Sequence, residues 1–405
     1  MADEFYIKDD IKVEMYLPAS TVAVWNFSNW DDGSLWGDGT TDSSWVDVVA
    51  TVANAEVVLG ATVEGNYYAP ARPNTLTITM QSAIYDPFKN PFVRPGIPIR
   101  LRYLQNPDTA PTTYSTLFQG EIDTFEVYYD SQSQGDLNNI TITASSTMRK
   151  YLNKTVDVWN SSAALSRTTQ DLFNYWGTQV EPNPLISGTW VPFLASYNMA
   201  TEYLTDQNAA DILNNLTEAS AGIVWQDPVS NDIRAYDQTQ IRTLLSTSAT
   251  NIFSNTHTTA STHFCIAEIN FAYDVEEGYN YFYCECTVSP STNGKKLNQD
   301  LIDIYGERRL SKTLNFDPTV SSNITTWLNN ISVRNPGKRV ASITTPVIRR
   351  DRKLANVAAL MPMQKVGINV ARTGYTIDET QVVTSATHSI TPDGWFATLE
   401  VWKGL

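Results

Sequence analysis

Three histidines and three cysteines are the residues whose types could do nucleophilic or metal chemistry, and four of them fall within one short stretch. His263, Cys265, Cys284 and Cys286 lie on two predicted strands of a hairpin that turns near 274–277. Period two puts 263 with 265 on one face and 284 with 286 on one face. A matching register would bring four zinc-type ligands together. The same faces carry Ala267, Ile269, Phe271, Phe282 and Val288, which is the pattern of a core. C-x-C pairs on flat strands also lack the tight turn of a zinc knuckle. The reading is structural thiols and no metal. His257 lies in a Thr-rich loop and His388 on a strand with no Ser or Cys partner indicated, so nothing points to a Ser–His–Asp site.

Other chemistry is equally unmarked. No G-x-x-x-x-G-K, G-x-G-x-x-G, G-x-S-x-G or H-E-x-x-H occurs, so no catalytic and no cofactor-binding residue is assigned, and no enzyme is expected. The 43 Asp and Glu residues have no spacing that identifies a glycosidase pair. Asp32 to Asp42 lacks the spaced acids and closing Glu of a calcium loop. Trp25, Trp30, Trp36 and Trp45 sit among Asp, Gly, Ser and Thr. Such indoles bind sugars, dock on a neighbour, or cap the end of a β-barrel. The basic run Arg349, Arg350, Arg352, Lys353 reads as a solvated loop or as a contact with an acidic neighbour.

The elements that must position these residues are mostly strands. The chain has 405 residues, with 42% hydrophobic and 18% charged, so it folds, and as more than one domain. Twenty Tyr, 14 Phe and 11 Trp favour extended structure. A net charge of −15 opposes any broad grip on nucleic-acid phosphates. The acidic start has no basic and apolar leader pattern, and 46–63, the most apolar run, carries Asp47 and Glu56. The expectation is a chain made in a reducing cytoplasm, with no membrane insertion.

Alternation predicts strands at 75–80, 97–103, 117–129 and 139–144, with turns at Pro87, Pro91, Pro95-Gly96 and Asn106-Pro107-Asp108. Ala209, Ile212, Leu213 and Leu216 make one helical stripe, with Gly222 placed to end it. Ile223–Trp225 and Ile233–Tyr236 make a hairpin. Ile324, Trp327, Leu328 and Ile331 make another helical stripe. From Val340 onward the pattern is β again.

Those two β regions match each other in order. Gly96-Ile97-Pro98-Ile99-Arg100 finds a counterpart in Gly367-Ile368-Asn369-Val370-Ala371. A long alternating strand follows each, 118–129 and 381–390, then a last strand, 140–144 and 395–401. The division expected is a Trp-rich arm at 1–45, a first β module at 46–160, a mixed α/β insert at 161–290, and a helix-bearing segment with a second β module at 291–405. The fold class is mainly β with an α+β insert, as two related β-barrel-like modules flanking a mixed middle. Ile97, Ile99, Ile122, Ile140 and Ile142 are expected to be buried in the first module. Ile368, Val370, Val382, Leu399 and Val401 are expected to be buried in the second.

Over 45–405 this order resembles the tail hub proteins of long-tailed bacteriophages, also called baseplate hub or minor tail proteins. The residues that carry the resemblance are Pro95 to Arg100, Leu117 to Asp123, Ile140 to Ala144, Ile212 to Trp225, Ile233 to Tyr236, Asp303 to Arg309, Trp327-Leu328, Asn335-Pro336 and Trp395 to Trp402. The resemblance implies a structural virion protein, a homotrimer at the tail tip whose paired modules continue the tail tube as a pseudo-sixfold ring. It implies as partners a distal tail or tail tube ring protein, the tape measure protein and a tail fibre or receptor-binding protein, with DNA only in transit. It implies no active site. Acidic strand residues such as Glu121, Asp123 and Glu400 are expected toward the channel. The other reading is a β-rich carbohydrate-active or receptor-binding tail protein, favoured by the aromatic arm and the many carboxylates.

Overall fold

Alternation of apolar and polar residues builds the first seven strands. In the computed structural model, residues 10–18, 43–65, 67–82, 84–105, 113–129, 138–155, 167–177, 188–194, 197–200, 208–255, 262–272, 279–332, 339–347, 354–372 and 375–403 are described. The strands are β1 (Ile11–Pro18), β2 (Ser43–Asp47), β3 (Val52–Gly60), β4 (Thr75–Ser82), β5 (Pro98–Leu104), β6 (Tyr114–Tyr128) and β7 (Asn138–Ser145). They pair antiparallel in the order β2-β1-β5-β6-β7-β4-β3. In β4, Leu76, Ile78 and Met80 are buried while Thr75, Thr77 and Thr79 are half-exposed, which is the two-faced pattern of a sheet packed on one side.

The chain then enters the insert through α1 (Met148–Leu152), β8 (Arg167–Thr168), α2 (Thr169–Gly177), β9 (Trp190–Val191), β10 (Asn198–Met199), α3 (Ala209–Ala219), β11 (Ile223–Gln226), β12 (Ile233–Tyr236) and α4 (Gln238–Leu245). The Asn208 side chain caps α3, and Asp237 with Gln240 makes a capping box on α4. The stripe of α3 is buried as its spacing requires, but Ala221, at φ 46°, turns the chain after it, and Gly222 does not.

The remaining elements are β13 (Asn251–Ser254), β14 (His263–Cys265), β15 (Glu268–Ala272), β16 (Tyr281–Cys286), β17 (Ser289–Leu297), α5 (Gln299–Tyr305), β18 (Arg309–Leu314), α6 (Ser322–Ile331), β19 (Arg339–Thr344), α7 (Leu354–Ala358), β20 (Lys365–Arg372), β21 (Tyr375–Thr391) and β22 (Gly394–Trp402). Seven of them make the second module, in the order β14-β13-β20-β21-β22-β19-β15. Its pairs are antiparallel, except that β13 runs parallel to β14 and β20. The protein is mainly β, and β21 pairs with β3, so the two modules form one 14-stranded sheet.

Two hydrophobic cores follow. One runs through both β modules, from Val13 and Met15 to Leu399 and Val401. The other holds the insert, where Phe173, Ile212, Leu213, Leu216, Phe282, Phe316, Ile324 and Trp327 are buried together. Segments cross the divisions expected from sequence. β1 carries Ile11, Val13, Met15 and Leu17 into the first core, although 1–45 reads as a loop-rich arm. β13, β14 and β15 belong to the second module's sheet, while β16 to β18 and α6 pack in the insert core. Among the described residues, no helix is long and apolar enough to cross a membrane.

Candidate assembly seam

Each module is organised around one long strand that changes partners midway. In β6, Tyr114 to Glu121 pairs with β5 and Glu121 to Tyr128 with β7. In β21, Tyr375 to Val382 pairs with β20 and Val382 to Thr391 with β22. Just past each switch a bulge leaves one residue without an opposite number on the last strand: Asp123 in β6 and Thr384 in β21. The chain enters each module by the same contact. Gly96 N–H donates to Ile122 O at 2.7 Å, and Met363 N–H donates to Val383 O at 2.8 Å. Ile122 N–H returns to Ile97 O, and Val383 N–H to Gln364 O, at 2.9 and 2.8 Å.

The equivalence is thus Gly96 with Met363 and Asp123 with Thr384. It corrects the sequence match, because Gly367 stands where Arg100 stands and not where Gly96 does. The displacement is even, so every residue keeps its face. Ile97, Ile99, Ile122, Ile140 and Ile142 are all buried, as are Ile368, Val370, Val382, Leu399 and Val401.

The seam joins β3 to the distal half of β21, with Ala55 opposite Ile390, Val57 opposite His388 and Leu59 opposite Ala386. All six are buried. Gly60 closes the seam at φ 74°, where a Cβ would lie 2.2 Å from Thr384 O and 2.6 Å from the Pro362 ring. Its N–H donates to Asn74 Oδ1 at 3.1 Å, and Asn74 Nδ2 donates to Gln226 O at 2.7 Å, which ties the seam to the insert. His388 is fully buried in the seam. Trp395 Nε1–H donates to its Nδ1 at 3.3 Å, so Nε2 carries the proton that meets Leu360 O at 3.1 Å. Burial drives its pKa down to about 4 against the pull of the Leu360 carbonyl, so the ring is neutral.

The residues singled out by sequence do not converge. His263 and Cys265 are half-buried in the second module's sheet, with Phe264 taking the buried face. Cys284 and Cys286 are in β16, whose partners are β17 and β18, so the hairpin that would have gathered four ligands does not form. Cys284 is sealed beside Phe282, and burial pushes its thiol up to about 12. Burial also raises the Cys286 thiol, so both act as small apolar side chains. Glu121 and Asp123 line a cleft of about 450 Å³ at the foot of α1, and each already has a cation. Lys150 Nζ lies 2.6 Å from Glu121, and Arg149 pairs with Asp123, which also accepts from Ser145. These two pairs clamp α1 to β6. Glu400 is half-buried on β22.

Trp45 lies in β2 with the Arg100 guanidinium 4.1 Å above its ring and Tyr16 at its edge, while Arg100 Nε bonds Glu14 at 2.6 Å. This indole packs between Arg100 and Tyr16 on the sheet. Trp25, Trp30, Trp36, His257, the Asp32–Asp42 stretch and the basic run at 349–353 lie outside the described residues. Gly60, Asn74 and His388 are the seam residues that sequence reasoning missed. Only His388 left a signal, as a polar residue alternating with the buried apolar Ala386 and Ile390.

No protein-family profile and no curated protein sequence matches the chain. Solved structures do. The tail protein from Neisseria meningitidis MC58 superposes with a TM-score of 0.54 over 97% of this chain and 96% of its own, at 9% identity. The 43 kDa tail protein of prophage MuSo2 from Shewanella oneidensis superposes with a TM-score of 0.54 over 98% of both chains, at 11% identity. The fold is a phage tail-protein fold. In both tail proteins the likeness runs nearly from end to end, so it takes in the modules and the insert together. At such identity it is the arrangement of elements that is shared, in agreement with the resemblance read from the sequence.

Proposed function

We propose that the chain is a structural tail protein that assembles as a homotrimeric hub at the tail tip. The single observation that carries this is the duplication. Two seven-strand modules of one strand order are joined edge to edge in one chain. Three such chains present six equivalent modules, the repeat needed to continue a sixfold tube. The distal tail or tube ring protein and the tape measure protein would meet this ring, and a fibre or receptor-binding protein would attach to it. The role calls for no catalysis. A net charge of −15 suits a wall past which DNA must slide without sticking.

Immunoelectron microscopy of the phage particle tests the reading. Antibody against this chain should decorate the tail tip alone. Decoration along the whole tail, on the capsid, or nowhere would overturn it.

A further inference from the structure

We propose that the loop 84–96 of the first module is a membrane-contact loop, which seats Phe88 and Phe92 at the headgroup boundary of an anionic lipid bilayer. The contact is shallow and spans nothing. It rests on the hub reading only for its setting, since a tail tip is the part of a particle that meets a cell surface.

The loop, which joins β4 to β5, is built to hold two phenyl rings in water. Phe88 is 80% exposed and Phe92 44%. Beneath them lies a fixed polar scaffold. Asp86 is fully buried and accepts from Phe88 N–H at 2.9 Å, from Tyr129 Oη–H at 3.0 Å and from Asn138 Nδ2 at 2.8 Å. Asn90 is equally buried; it accepts from Phe92 N–H at 3.1 Å and donates to Ile84 O at 3.2 Å. Tyr85 and Val93 pin the two sides of the loop to the first core. The rings are held outward by this framework, and such a display of apolar surface marks a contact.

Two features select lipid over a protein partner. The first is the backbone. Lys89 N–H and Asn90 N–H both donate to Asp86 O, at 3.1 and 2.8 Å, and Val93 N–H donates to Asn90 O at 3.1 Å. Pro87 and Pro91 have no N–H. Every backbone donor from 87 to 93 is therefore absent or satisfied inside the loop, so the tip enters a water-poor layer with no N–H left bare. A protein-binding loop keeps donors for its partner. The second feature is charge. Lys89 and Arg94 are exposed beside the rings, and among the described residues neither forms an ion pair. The one carboxylate of the loop, Asp86, is sealed below. On a chain of net charge −15, this loop presents two cations and no exposed anion. Rings at the acyl boundary with cations on the phosphates are the arrangement that an anionic bilayer binds.

Flotation of the full chain with lipid vesicles tests the contact. The parent protein should float with vesicles of phosphatidylglycerol and phosphatidylcholine in equal parts, less so in high salt, and weakly with phosphatidylcholine alone. Phe88→Ser with Phe92→Ser should lower binding to the mixed vesicles by about tenfold or more. Lys89→Gln with Arg94→Gln should lower it by about tenfold and abolish the preference for the anionic lipid. Leu194→Ser with Ile304→Ser removes two exposed apolar side chains elsewhere and should bind as the parent does. In intact tails, Lys89 should acylate as readily as in the free chain. Four results would each overturn the proposal: a parent that floats with neither vesicle, equal losses for the two serine pairs, a lipid preference that survives the glutamine pair, or a Lys89 shielded in intact tails by a protein neighbour. All four leave the hub reading in place. Antibody that misses the tail tip overturns that reading and leaves the vesicle binding as measured.

Discussion

Gly96 and Met363 hold the same post in the two β modules: each turns the chain in the left-handed region, at φ 89° and 65°, and donates its N–H to the carbonyl just before the bulge of the long strand. One position uses glycine. The other holds a methionine there by burying its side chain in the shared core.

Gly96 has nothing within 4 Å of where a Cβ would sit, so Gly96→Ala tests backbone strain alone. The substitution should cost about 1–2 kcal/mol in urea unfolding. No loss of stability would show that the turn relaxes to negative φ and that the equivalence with Met363 is only formal.

Gly60→Ala adds a steric clash to the same strain. Its Cβ would fall on Thr384 O, which already accepts the Ala61 N–H at 3.2 Å. The seam must part to admit it, so the loss should exceed that of Gly96→Ala by about 2 kcal/mol or more, or the protein should fail to fold. Equal losses at the two glycines would mean that the seam yields cheaply.

These relationships mark where sequence stops being informative. The strands of both modules could be read from alternation, because period two is local and each sheet hides one face. The helical stripe of Ile324, Trp327, Leu328 and Ile331 was legible for the same reason. The pairing of strands was not, because register between β3 and β21 joins residues more than three hundred positions apart and leaves no local trace. The cysteine hairpin failed on this point: neighbouring strands in sequence went to different sheets. β1 did carry alternation in Ile11, Val13, Met15 and Leu17, but the Gly- and Asp-rich stretch beyond it masked the signal.

His388 makes the seam sensitive to acid. Its folded pKa, about 4, lies below the ordinary value of 6.5, so the unfolded chain takes the proton first. Stability is therefore full above pH 6.5 and falls by about 1.4 kcal/mol per unit as the pH drops toward 4. His388→Gln should lower stability at pH 7 yet lose this slope between pH 6.5 and 5, in unfolding followed across pH. The same slope in both proteins would remove His388 as its cause.

Thiol reactivity should separate the cysteines. Cys265 is half-buried, whereas Cys284 and Cys286 are sealed with raised thiol pKa values. With a disulfide reagent at neutral pH, Cys265 should react fast in the native protein and the other two only on unfolding. Cys286→Ala should cost about 1–2 kcal/mol, as a small core truncation does. Fast native labelling of Cys284 or Cys286 would contradict the packing of β16.

The proposed hub needs three copies of one chain to present six modules, and direct observation of the particle tests this most simply. Sedimentation of the purified protein, with class-averaged electron micrographs of the same sample, should give three copies of the 45.2 kDa chain in a ring with a central channel and six similar lobes. A stable monomer at all concentrations, or a particle with twofold symmetry and no channel, would contradict the account.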